Sequence, residues 1–118
     1  MTNLEQLSPL ECLRRDRHQV WLRQLQVEVS QCLLPNCAIY LFGSRARGDW
    51  DGYSDTDLLV VGISQTIAEA QADKLREDLV GDDVIAVTSA YWRAINGESS
   101  PYWRAIKEYA QLLAGEIK

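Results

Sequence analysis

Cysteine and histidine are scarce. Cys12, Cys32 and Cys37 are odd in number, none stands in C-x-x-C spacing, and His18 is the lone histidine, which speaks against a disulfide framework and a zinc site. Reduced thiols fit a reducing compartment. Long apolar runs are missing too: the longest, residues 37–43 and 58–63, fall far short of the ~20 residues that cross a bilayer, so no membrane association is expected. The first residues, Met1 to Gln6, carry no basic stretch followed by an apolar one, so no secretory leader is expected and the cytoplasm is the expected location. Basic side chains are outnumbered, 12 against 17, and the net charge of −5 repels polyanions at long range, so direct nucleic-acid binding is not expected. A small anionic substrate would need a bound cation.

What is present reads as one domain over residues 1–118. Ser8-Pro9-Leu10-Glu11 combines an N-cap serine, a proline at the first helical position and the glutamate of a capping box. A helix is predicted from there to Pro35-Asn36, its apolar stripe formed by Trp21, Leu25 and Val29 with Leu22, Cys32 and Leu33. The charged run Arg14 to His18 is expected to be a solvated face, with His18 exposed and idle. Residues 38–42 read as a buried strand entering a Gly-Ser turn, and residues 55–61 as a second strand after the polar loop 48–54. Residues 64–79 place Ala68, Ala72, Leu75 and Leu79 on one helical face, capped by Ser64 or Thr66 and closed by Gly81. Residues 83–88 form a third strand. The core motifs thus occupy 38–88.

The pentapeptide Tyr-Trp-Arg-Ala-Ile occurs at Tyr91 to Ile95 and again at Tyr102 to Ile106, but Gly97 and Pro101 between the copies break any continuous helix. Its aromatics are expected in the core or, alternatively, on a surface for another protein. Ser100-Pro101 repeats the helix-start signal, and Tyr102, Ile106, Tyr109, Ala110 and Leu113 predict a C-terminal helix over 100–114.

Gly43-Ser44, at the end of the first strand, allows backbone amides and a hydroxyl to face an anion without Cβ obstruction. No Walker G-x-x-x-x-G-K-[ST] run occurs, so this is not a P-loop. Asp55 and Asp57 project from one face of the second strand, with Cα atoms ~6.5 Å apart. At a carboxylate separation of ~6 Å and an effective dielectric of ~20, their repulsion is ~2.8 kcal/mol. If the third strand pairs beside the second, Asp83 joins them, and three acids so placed suit a hard cation such as Mg²⁺. Asp82 precedes Asp83, and a one-residue shift would exchange which of them faces the site.

Leu41-Phe42-Gly43-Ser44-Arg45-Ala46-Arg47-Gly48 followed by Ser54-Asp55-Thr56-Asp57-Leu58-Leu59-Val60 resembles the signature of the polymerase-beta-type nucleotidyltransferases, in particular the minimal nucleotidyltransferases paired as antitoxins with HEPN-domain RNase toxins. Residues 83–88 are similar to the family's third acidic strand. The resemblance implies an α/β (α+β) fold, a small mixed β-sheet flanked by helices. It implies that Asp55, Asp57 and Asp83 are catalytic and hold two Mg²⁺ ions, Asp83 also helping to deprotonate the attacking hydroxyl. Gly43 and Ser44 would hold the phosphates of ATP, with Arg45 or Arg47 nearby; those arginines have the alternative of solvent-exposed ion pairing. The implied activity is transfer of AMP from ATP to a hydroxyl, a tyrosine of a cognate HEPN toxin being the expected acceptor. A non-catalytic antitoxin that neutralises its partner by contact is the alternative, and transfer to a small molecule a third.

Overall fold

A computed structural model describes residues 8–48 and 54–117, so most of the polar loop expected over 48–54 lies outside the described residues. The chain orders as α1 (Pro9–Cys32), β1 (Cys37–Phe42), α2 (Ser44–Arg47), β2 (Asp57–Gly62), α3 (Gln65–Glu77), β3 (Asp83–Thr88), α4 (Ser89–Ala94), α5 (Pro101–Tyr109) and β4 (Gln111–Gly115). The start signals act as written. Ser8 accepts from the Glu11 amide while Glu11 returns a bond to the Ser8 amide, and Ser64 and Ser100 cap α3 and α5.

The sheet is mixed, in the order β3-β2-β1-β4, with β1 antiparallel to β2 and β4 and β2 parallel to β3. A parallel pair needs a crossover, and α3 supplies it. Both faces are covered, which is why the strands read as nearly continuous apolar runs. Ile39, Leu41, Leu58, Val60 and Val84 point to the side of α1 and α3, where they meet Leu25, Val29, Ala68, Ala72 and Leu75. Phe42, Leu59, Val61 and Val87 point to the other side, packing with Ile106 of α5 and the half-buried Trp92 and Trp103. Gln71, wholly buried in α3, donates to the Cys32 carbonyl at 3.0 Å and accepts from the Leu34 amide at 2.6 Å, closing the turn between α1 and β1.

The C-terminal helix expected over 100–114 stops at Tyr109. Ala110 turns extended, and Gln111–Gly115 is a strand against β1. The helical stripe there is real but local; β1 is a central strand whose second edge would otherwise bury unpaired amides and carbonyls. A register shift between Ile39 and Tyr40 accommodates Leu113, which is buried with the α1 and α3 cluster. Gly115 ends the strand at φ +80°, where a Cβ would collide with the Cys37 carbonyl.

His18 is also not where the charge run placed it. It is half-buried, its ring stacked 5.3 Å from that of Trp21, and burial followed by the Arg45 charge pushes its pKa down. Arg14, Arg15, Asp16 and Arg17 are exposed as expected. Of the repeated pentapeptides, the tryptophans pack under the sheet while Tyr91 and Tyr102 remain 48% and 59% exposed.

Candidate active site

The parallel register of β2 and β3 sets Asp57 beside Asp83. Strand alternation sends Asp57 to the face of Leu59 and Val61, and Asp83 to the face of Ile85 and Val87, so both carboxylates lie on the side covered by α5. Asp55, two residues before Asp57, joins them. These three acids, with Phe42, Gly43, Ser44 and Arg47, line a cavity of about 360 Å³ whose opposite wall is Tyr102, Ala105 and Ile106 of α5. That volume falls in the range of small-ligand sites.

Gly43 sits at the junction of β1 and α2 with φ 80° and ψ −158°, a conformation closed to residues with a side chain. A Cβ there would also run into the Asp57 carboxylate. Glycine is therefore required twice over, by the backbone turn and by the acid that lies against it. The short α2 that follows is closed by bonds from the Ala46 and Arg47 amides to the Gly43 carbonyl, both 3.1 Å.

The two acids at the start of β3 separate cleanly. Asp82 accepts from the Thr56 amide at 2.7 Å, while the amides of Asp82 and Asp83 donate to the Thr56 carbonyl at 2.8 and 3.3 Å. Asp82 thus belongs to the frame and lines a separate 180 Å³ recess with Trp21, Gln24 and Glu28; Asp83 faces the cavity. The arginines separate likewise. Arg47 lines the cavity, whereas Arg45 lies over the Trp21 ring, 4.3 Å from its centroid, and donates from Nε to the Ser54 carbonyl at 3.2 Å. Arg45 ties the segment leading into Asp55 to α1.

The electrostatics follow from this crowding. Burial, then the charges of Asp83, Asp55 and Asp82, push the Asp57 carboxyl above the usual carboxylate range, and Arg47 opposes them. Among the described residues no three acidic, histidine or cysteine side chains form a group that could hold a metal ion. The cavity instead offers oxygen-only donors, Asp55, Asp57 and Asp83, in mutual repulsion. That donor chemistry fits a hard divalent cation, whose charge would relieve the strain on Asp57.

The wall formed by α5 was not legible in the motifs. Tyr102, Ala105 and Ile106 read as part of an apolar helical stripe, and only the packing of α5 under β2 and β1 brings them opposite the acids.

Two solved structures are similar to this chain. One is a toxin-antitoxin crystal structure with AMP-PNP, 24% identical, TM-score 0.47, covering 79% of this chain and 73% of that one. The other is a tri-AMPylated Shewanella oneidensis HEPN toxin in complex with MNT antitoxin, 21% identical, TM-score 0.46, covering 80% and 73%. Among curated proteins none matches significantly. The model of the nucleotidyltransferase domain family matches residues 22–111, a span that holds β1, the Gly-Ser turn, all three cavity acids and the α5 wall. With three-quarters of its length and its entire candidate site inside that match, the chain belongs to the nucleotidyltransferase domain family.

Proposed function

We propose that the protein is an Mg²⁺-dependent adenylyltransferase that moves AMP from ATP to a hydroxyl, the acceptor being a tyrosine of a HEPN-domain RNase toxin that it thereby silences. The observation that carries this reading is the pairing of Asp57 with Asp83 across β2 and β3, with Asp55 and the Gly43-Ser44 turn on the same cavity. Asp55, Asp57 and Asp83 would hold two magnesium ions, which when bound supply charge stabilisation to the attacking and leaving oxygens of an in-line displacement. The Gly43 turn and the Ser44 hydroxyl hold the nucleotide phosphates, and Arg47 adds positive charge at the same wall. Asp83 accepts the proton of the attacking hydroxyl as its oxygen bonds the α-phosphorus and the bond to pyrophosphate breaks. Tyr102 and Ile106 form the wall of the cavity opposite the acids. Arg45 supports the segment that carries Asp55.

Incubation with ATP, Mg²⁺ and a HEPN-domain partner is expected to raise the partner's mass by AMP units; absence of any adduct on a partner that binds overturns the reading. Neutralisation by contact has its own support in an apolar groove of about 370 Å³ beside the exposed Tyr91, lined also by Ile95 and Trp103. Asp57→Ala separates the two, since protection that persists in full in that variant requires contact alone.

A further inference from the structure

Helix α1 is longer than the sheet beneath it. It runs 24 residues, ~36 Å, yet the first of them to be buried is Leu25. Before it only Cys12, His18, Trp21 and Leu22 are even half-covered. Pro9 to Trp21 also lies outside the family match, which begins at residue 22. A helical segment of that length is marginal in water by itself.

Its outer flank carries a seam. Leu10, Leu13, Val20 and Val27 are 66%, 45%, 47% and 57% exposed. Leu13, Val20 and Val27 recur every seventh residue, and Leu10, Arg17 and Gln24 precede them by three, which is the alternating spacing of a coiled-coil stripe. Leu25, Val29 and Cys32, which bind the sheet, lie on a different face. A stripe of this period fits another helix.

Charge selects which helix. We infer that α1 is a self-association surface on which a second copy of this chain lays its own α1 antiparallel. Aligning Leu10 with the second copy's Val27 sets Leu13 against Gln24 and Arg17 against Val20, and the two-fold axis repeats each contact. The same alignment brings the exposed Asp16 beside the second copy's exposed Arg23, twice. The Arg17 stem lies along valine with its guanidinium directed to water. Parallel pairing would set Arg17 on Arg17 in one layer.

Sedimentation over a concentration series is the test, run on the full chain. A concentration-dependent dimer is expected, with Val20→Glu monomeric at unchanged helicity. Asp16→Arg alone sets two arginines together and is expected to weaken self-association about tenfold, and the exchange Asp16→Arg with Arg23→Asp to restore it. A monomer at every concentration, or an exchange that fails to restore the dimer, overturns the inference. So does a Val20→Glu variant that keeps its dimer and loses only the binding of a different protein.

Discussion

Asp82 and Thr56 exchange hydrogen bonds: the Asp82 carboxylate accepts from the Thr56 amide at 2.7 Å and the Asp82 amide donates to the Thr56 carbonyl at 2.8 Å. This clamp joins the residue between Asp55 and Asp57 to the residue before Asp83. Asp82→Ala is expected to cost ~0.5–1.5 kcal/mol of stability and to lower nucleotidyl transfer without touching the cavity. Denaturant midpoints and single-turnover rates check it; an unchanged rate with an intact midpoint denies the clamp any part in setting the acids.

Gly43→Ala meets both a positive φ and the Asp57 carboxylate. A loss of ~1–3 kcal/mol is expected, together with loss of nucleotide binding, because the only relief available is to push Asp57 out of place. A thermal melt and an ATP titration measure the two effects. Normal values in both would mean the turn tolerates a side chain.

Asp57 makes an opposite stability prediction. Its carboxyl is pushed up in the fold, so the native state holds that proton more tightly than the unfolded chain does. The associated stability is present below the unfolded carboxyl range and declines as pH rises through the raised native value. At neutral pH the charged side chain therefore strains the fold, and Asp57→Asn is expected to raise the melting temperature while abolishing transfer. Added Mg²⁺ is expected to raise the melting temperature of the parent protein and not of this variant. Melts across a pH series with and without the cation decide it; an Asn variant that melts lower than the parent at neutral pH contradicts the argument.

The two arginines of the turn are expected to fail differently. Arg47→Ala removes the positive charge on the cavity wall and is expected to weaken ATP binding about tenfold. Arg45→Ala removes the contact with Trp21 and the bond to the Ser54 carbonyl, and is expected to cost ~0.5–1 kcal/mol. Calorimetric titration beside thermal melts separates them, and equal effects on affinity would place both guanidiniums on the nucleotide.

Local chemistry alone marked β1, β2 and β3, the capped starts of α1, α3 and α5, and the acids at fixed spacing before an apolar run. Each of these rests on neighbours a few residues apart: a serine three residues before the amide it caps, or side chains that alternate along one strand. Tertiary structure decided what depends on partners distant in the chain. Gln111–Gly115 is strand because β1 needs a second neighbour, although its own apolar spacing continues a helix. Asp83 rather than Asp82 faces the cavity because the Thr56 backbone captures the other acid, and Arg45 leaves the cavity because Trp21 offers it an aromatic face. Hydrogen-bond partners and ring faces more than twenty residues away carry no periodicity, so only the folded chain could assign them.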